Sequence, residues 1–319
     1  MNILVTGGLG LIGHHVVSKL EQLGHKVVIA DTRTNYGIIP QDEIEYLISE
    51  RLKKIKTDRI YRIDITDRGG IDFLFETHNF DTVIHMASFP RQKVVNANPA
   101  LGSRAMSEGL LNLLEASSEN KLQKFVYISS SMVYGDFNDD VTEDAICKPQ
   151  GQYGIMKLAG EWLVRDYSRN DNFTHTIIRP SAVYGPLDVQ DRVIAKFMLA
   201  AMRGDVLKVN GANETLDFTY VEDAADGIVS ATLSENTNNK TYNITKSHSY
   251  SLLDAANLAV AIAGKGTIEV REKDPDFPSR GALNIDAARR DFGFNPKVDV
   301  AEGFEMYYDW INKSQYYTK

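Results

Sequence analysis

The chain has a single cysteine, Cys147, in its 319 residues. That excludes an intrachain disulfide and offers nothing to a cysteine-based metal cluster, so no metal is expected. Positive charge is in short supply. Lys and Arg number 35 against 43 Asp and Glu, a formal net charge of −8. Such a balance disfavours nucleic acid or any other polyanion as a main partner. No apolar run approaches the roughly 20 residues needed to span a bilayer, so no membrane partner is expected. The chain opens directly on an apolar strand, which leaves no room for a signal peptide. Internal repeats and low-complexity tracts are absent. Hydrophobic residues make up 43% of the chain, enough for a real core. The expectation is a cytoplasmic enzyme.

The opening residues carry the first positive signal. The run Ile3-Leu4-Val5 feeds a glycine turn, Gly7 to Gly13, and then an apolar-periodic stretch over 11–20. This reads as strand, phosphate loop and helix. Gly7 permits the tight turn. Gly10 lets a pyrophosphate approach the backbone, and Gly13 lets the helix pack closely on the strand. The helix start at Leu11, Ile12 and Gly13 turns free N–H groups and a positive dipole end toward the phosphates. The spacing is GxxGxxG, and its place after a strand gives it weight. A second buried strand, 26–30, ends at Asp31. A carboxylate there accepts hydrogen bonds from the adenosine ribose and repels a 2′-phosphate, which favours NAD. Arg33, two residues on, leaves NADP as the alternative.

Strand-like runs recur at 59–63, 82–85, 124–128 and 174–178, with helical patterns between them, notably 106–117 and 152–167. Strands alternating with helices predict an α/β fold, a Rossmann-type doubly wound parallel sheet. A charged stretch, 40–56, reads as a solvated surface helix, with dimer contacts or cover for the cofactor as lesser roles. Beyond Gly185 the alternation fades into helices at 192–203, 221–234 and 252–263 and short strands near 207–209, 217–219 and 267–270. The expected organisation is a dinucleotide-binding domain over 1–180, able to receive later segments, and a smaller C-terminal α/β substrate lobe over 181–319. The polar tail after Asn312 is expected to fray.

Tyr153 and Lys157 lie four apart in a helical pattern, hence on one face. An ammonium near a phenol stabilises phenolate, which tyrosine needs to act as a base near neutral pH. Ser130, at the carboxyl end of the fifth strand, can share the same substrate oxygen. The three together, after a dinucleotide loop, are far more specific than any one.

With these motifs the chain resembles the extended short-chain dehydrogenase/reductase superfamily, in its nucleotide-sugar epimerase/dehydratase branch. The matches are Thr6 to Gly13, Asp64-Ile65, Ile128 to Gly135, Tyr153 to Lys157, Arg179 to Pro186, Leu216 to Asp223 and the stretch from Asp286 to Phe304. The resemblance implies that Asp64 and Ile65 bracket the adenine, that Met86, Ala87 and Ser88 line the ribose and pyrophosphate, and that Pro180 and Val183 sit by the nicotinamide. It makes Tyr153 the acid/base, Lys157 the holder of both ribose and phenolate, and Ser130 the group that polarises the reacting oxygen. Ser131 and Ser181 join the substrate side.

Several positions depart from the family pattern. The dehydratase branch has Thr-Asp-Glu where this chain has Ser130-Ser131-Met132, so the acid and base for water elimination are missing. The 4-epimerases carry Asn at Ala182, Arg at Leu216 and another Asn at Met106. The substrate diphosphate then needs other partners, with Arg192 and Arg280 as candidates. The resemblance thus points to an NAD-dependent epimerase of a nucleotide sugar, at C4 of a UDP-sugar, through a keto-sugar intermediate. The alternatives are a nucleotide-sugar reductase or decarboxylase, the same lobes serving a steroid- or flavonoid-type substrate, and an NAD(P)-sensing binding protein. It also implies a homodimer, formed by the 106–117 and 152–167 helices.

Overall fold

Apolar side chains alternate along the strands, and that alternation builds a sheet buried on both sides. The computed structural model describes residues 1–319 except Ile38, Asn172, Asp276 and Lys319. The first half runs β1 (Asn2–Thr6), α1 (Leu11–Gln22), β2 (Lys26–Ala30), α2 (Gln41–Leu52), β3 (Ile60–Tyr61), α3 (Arg68–Thr77), β4 (Thr82–His85), α4 (Gln92–Ala97), α5 (Pro99–Glu119), β5 (Lys124–Ile128), α6 (Gly151–Asp171) and β6 (Thr174–Pro180). The second half runs β7 (Val183–Tyr184), α7 (Val193–Arg203), β8 (Val206–Asn210), β9 (Thr215–Asp217), β10 (Thr219–Tyr220), α8 (Val221–Leu233), β11 (Lys240–Ile244), β12 (Ser249–Ser251), α9 (Leu252–Ala263), β13 (Thr267–Arg271), α10 (Asp286–Phe292) and α11 (Val300–Lys313).

The main sheet has seven strands in the order β11-β6-β5-β4-β1-β2-β3, all pairs parallel. Ile3 and Val5 of β1 face one layer, with Val16 and Leu20 of α1 and Ile228 of α8. Leu4 faces the other, with Leu74 of α3, Leu110 and Leu114 of α5 and Val164 of α6. This is the period-2 pattern of a strand covered on both faces. The doubly wound α/β class read from the sequence is the one observed.

The chain after residue 181 divides itself between two cores. Phe197, Met198, Leu207, Phe218, Ala256, Phe304 and Tyr307 form a separate cluster over the sheet's carboxyl edge. Small two-stranded sheets, β8–β13, β9–β12 and β7–β10, frame it. Between them the chain returns to the main sheet. β11 pairs with β6, and Tyr242, Ile244, Ile285 and Phe294 join the β1 core.

Two expectations need correction. The 40–56 stretch is a surface helix solvated on one face only, where Gln41, Asp42, Glu45 and Ser49 are exposed, while Ile44, Ile48 and Arg51 line the cleft. Glu43, Leu47 and Arg51 of α2 are buried, and Arg51 donates to the carbonyls of Leu9 (2.9 Å) and Leu187 (2.7 Å). Its high charge content disguised an inward face that is itself partly charged. The tail after Asn312 does not fray either. α11 runs to Lys313, Ser314 is buried, and Tyr46 of α2 stacks on Tyr316 with ring centroids 5.3 Å apart. Tyr317 donates its hydroxyl to Glu43 Oε1 at 2.7 Å. Among the described residues, no helix is long and apolar enough to cross a membrane.

Removing the tail's hydrogen bond leaves Glu43 short of a donor. Tyr317→Phe is therefore expected to lower the unfolding free energy by roughly 1–3 kcal/mol. Chemical denaturation measures this, and an unchanged midpoint would mean that the tail contributes nothing.

Candidate active site

The carboxyl ends of the parallel strands open into one cleft of ≈ 1070 Å³ that runs from Asp31 past Tyr153 to Arg280. Such folds place ligands here, where strand order reverses. The glycine loop forms its floor. Gly7 has φ +71°, and a Cβ there would lie 2.7 Å from the Ala87 nitrogen. A Cβ on Gly13 would lie 2.3 Å from the Gly7 carbonyl oxygen, so this glycine seats α1 against the loop. The N-terminus of α1, at Gly10, carries no side-chain cap. That start of α1, with its dipole, fits a pyrophosphate. Asp31 lines the cleft, and its carboxylate accepts from the backbone N–H groups of Leu9 (2.9 Å) and Arg33 (2.7 Å). The carboxylate thus ties the glycine loop to the end of β2.

Gly7, Gly10, Leu11, Ile12, Gly13, Arg33, Met86, Ala87, Ser88, Pro180 and Val183 all line this cleft, as do Ser130, Ser131 and Ser181. Asp64 and Ile65 lie outside the lining. The Asp64 carboxylate accepts from Thr66 N (2.9 Å) and Thr66 Oγ1 (2.8 Å), and Ile65 is buried beneath Gly109 of α5. Tyr36 was invisible in the sequence. Its hydroxyl donates to the Ser88 carbonyl at 3.3 Å and its ring meets Phe89 edge-on, so it crosses the cleft.

Tyr153 and Lys157 stand on the inner face of α6, as their spacing requires. Lys157 is buried and donates from Nζ to the Ile128 carbonyl at 2.7 Å. The ammonium lies 5.2 Å from the Tyr127 ring centroid and 6.0 Å from that of Tyr153. Burial pushes it down to about 7, and the Glu161 carboxylate acts the other way. Burial pushes the Tyr153 phenol up, while a hydrogen bond with Ser130 and the charges of Arg192 and Arg280 pull it down. Ser130 Oγ also accepts from Met132 N at 3.2 Å, which fixes its place at the start of a short 3₁₀ turn. Ser131 donates to Ser181 Oγ at 3.2 Å.

The two arginines converge from the substrate lobe. Arg192 donates to the Val183 carbonyl (3.2 Å) and faces buried Asp188 at 3.7 Å. Arg280 has its Nε buried without a partner, and among the described residues it forms no ion pair. Burial and the neighbouring Arg192 cation bring it down to about 10. A buried guanidinium nitrogen without a partner, beside a second cation, has the chemistry to receive an anion. Ala182 and Leu216 also line the cleft, with no polar atom in their side chains. Ala182 sits at φ +36°, in the left-handed region that asparagine tolerates and alanine avoids.

A glycine loop at a helix start, an acidic residue ending β2 and a Ser–Tyr–Lys group at the mouth of β5 define a dinucleotide-dependent enzyme of the extended short-chain dehydrogenase/reductase type. A family model described as the NAD dependent epimerase/dehydratase family matches residues 3–245, and the chain belongs to that family. Its cofactor is NAD. An uncharacterized 37.6 kDa protein of Escherichia coli O111:H- is 32% identical over 72% of this chain and 68% of its own. The human dTDP-D-glucose 4,6-dehydratase is 26% identical over 98% of this chain and 90% of its own. The crystal structure of UDP-glucuronic acid 4-epimerase from Bacillus cereus, in complex with UDP-glucuronic acid and NAD, superposes with a TM-score of 0.90. It is 29% identical and covers 98% of this chain and 99% of that one.

The backbone at Ala182 supplies a local test. A left-handed alanine costs roughly 1–2 kcal/mol, and glycine returns roughly 0.5–1 kcal/mol of that as freedom in the unfolded chain. Ala182→Gly is expected to raise stability by a few tenths to about 1 kcal/mol. A clear loss in thermal unfolding would show instead that the methyl group is needed for packing.

Proposed function

We propose that this protein is an NAD-dependent nucleotide-sugar epimerase that inverts C4 of a UDP-linked sugar. One observation carries the reading. The Ser130–Tyr153–Lys157 group is complete, while the two positions that would supply acid and base for elimination hold Ser131 and Met132, both buried. The Bacillus cereus neighbour supports UDP as the nucleotide part.

NAD, when bound, would supply reversible hydride acceptance at the sugar carbon. Gly7, Gly10 and the start of α1 hold its pyrophosphate, and Asp31 its adenosine ribose. Tyr153 Oη takes the proton from the sugar hydroxyl and later gives it back. Lys157 lends the phenol its positive charge and holds the nicotinamide ribose. Ser130 donates to the oxygen that becomes the ketone. Arg192 and Arg280 take the diphosphate in place of the polar groups absent at Ala182 and Leu216. The same reading includes a homodimer through α5 and α6. Leu110, Leu113 and Leu114 are consumed by the protomer's own core, so the outward stripe is Leu101, Ile155 and Trp162, all exposed.

Tyr153→Phe is expected to cut turnover by roughly 10²–10⁴-fold while NAD stays bound. Products from a panel of UDP-, GDP-, dTDP- and CDP-sugars, separated by chromatography and identified by mass spectrometry, identify the substrate. Near-normal turnover of this variant would remove the mechanism, and net oxidation or loss of carbon dioxide would replace the epimerase with a redox or decarboxylating enzyme.

Arg280→Ala is expected to raise KM with a smaller effect on kcat. A charge-assisted hydrogen bond common to ground and transition states is worth roughly 1.5–3 kcal/mol. If neither constant moves with the best nucleotide sugar, the diphosphate is held elsewhere.

A further inference from the structure

Behind Tyr153 and Lys157 lies a buried polar cluster that the roles above leave unused. Glu161, one helical turn beyond Lys157 on α6, is 0% exposed. Its Oε1 accepts from Ser129 Oγ at 2.6 Å and from Arg179 Nε at 2.8 Å. Its Oε2 accepts from Arg179 Nη2 at 2.7 Å and from Arg165 at 3.2 Å. One carboxylate therefore joins α6, the end of β5 and β6. Arg179 is fixed in turn, donating from Nη1 to Tyr134 Oη (2.8 Å) and to the Glu143 carbonyl (3.1 Å). Both oxygens are satisfied by charge-assisted bonds in the bidentate arrangement that makes arginine specific for carboxylates.

Stability alone does not account for such a pair. Burying two charges costs several kcal/mol each in desolvation, and apolar residues of the same volume are often as stable. What the pair has that an apolar pair lacks is position. Ser129 immediately precedes Ser130 and follows Ile128, whose carbonyl receives the Lys157 ammonium.

We propose that Glu161 is a positioning residue for the reaction: gripped by Arg179, it fixes Ser129, and with it the backbone that aims Ser130 and offers the Ile128 carbonyl, and it places a negative charge one helical turn from the Lys157 ammonium. The surroundings of Lys157 isolate that charge. On its own helix it faces Tyr153 and Glu161. From β5 it meets the Tyr127 ring, and from β4 the imidazole of His85, itself driven down to about 3 by burial and by Lys157. Among the described residues, Glu161 is the one anion that acts on Lys157. Around Glu161 stand Arg165, Arg179, the Ser129 hydroxyl, the Tyr127 phenol and the Cys147 thiol. Burial would push the Glu161 carboxyl up, but Arg179 outweighs it and the net direction is down, so it stays ionised. Tyr153 in turn meets Ser130, Arg192 and Arg280.

The inference rests on Tyr153 and Lys157 being the reacting pair. The sign of the test follows from a buried ammonium that burial already weakens. With Glu161 neutral, Lys157 loses its proton at a lower pH, and the phenol loses its help. In Glu161→Gln the alkaline limb of kcat/KM is expected to move down by about one pH unit or more, a tenfold loss at fixed pH on that limb. The Tyr153 phenol, followed by tyrosinate absorbance as the difference from the same protein carrying Tyr153→Phe, is expected to titrate at higher pH than in the wild type. Glu161→Gln alone leaves Arg179 buried without its partner and can fail to fold. The double variant Glu161→Gln/Arg179→Met removes both charges together, and the same limb shift is expected in it. A limb and a phenol titration that coincide with the wild type in either folded variant overturn the proposal, even where the rate falls at every pH. If Tyr153→Phe is inactive while the limb stays in place, only the role of Glu161 fails. If Tyr153→Phe remains active, the reading beneath it fails first.

Discussion

Two stretches of backbone in direct contact set the geometry of this protein. Gly7, at the end of β1, lies so close to Ala87, just past β4, that a methyl group has no room between them. The approach is reinforced by Thr6, whose hydroxyl accepts from Ala87 N at 3.2 Å and pairs with His85 Nδ1 at 2.8 Å. β2 lies on one side of β1 and β4 on the other, so the connections leave in opposite directions from this point. The cleft opens where they part. Asp31, the start of α1, the 86–88 turn and the β5 end that carries Ser130 are all arranged about that one contact.

The parts of this arrangement that were legible in the sequence are those with a short period or a fixed spacing. Alternating apolar runs gave the strands, glycine spacing the loop, and Tyr153 and Lys157 announced a shared face. The α5 helix begins at Pro99, seven residues before its readable apolar stripe, because its first two turns carry Gly102, Ser103 and Arg104 in place of a periodic core. The single strand expected at 217–219 is two, β9 and β10, which pair with different partners on either side of Phe218. The α2 face escaped because its buried residues include Glu43 and Arg51, whose partners lie at Tyr317, Leu9 and Leu187. Glu161 carried a usable signal, a carboxylate at helical spacing beyond Lys157. Its significance depends on Arg179, and nothing in local spacing joins residues of α6 and β6.

Charge is distributed against the protein's average. The chain is acidic overall, yet Arg91, Lys93, Arg192, Lys196, Lys208, Lys273 and Arg280 line the cleft. Asp191 gathers three of the cations around the mouth, pairing with Arg91 at 2.7 Å, Lys196 at 2.8 Å and Lys93 at 3.2 Å. Among the described residues lining the cleft, ten Lys and Arg face six Asp and Glu, so the cleft carries an excess of positive charge within a chain that is negative overall. A low-dielectric cleft lined this way concentrates anions and leads them inward.

The tail contacts carry a consequence for the order in which the protein is built. Tyr317 reaches back across 274 residues to Glu43, and Ser314 across 268 to Tyr46. Contacts of such separation form late, because the entropy of closing the loop must be met before they contribute. During synthesis β1 and α1 emerge first and can pair with β2 early. α2, whose Arg51 holds the Leu9 carbonyl of the glycine loop, gains its outer support only after residues 314–317 have been made. The wall of the cleft that α2 forms is thus braced by residues far from it along the chain.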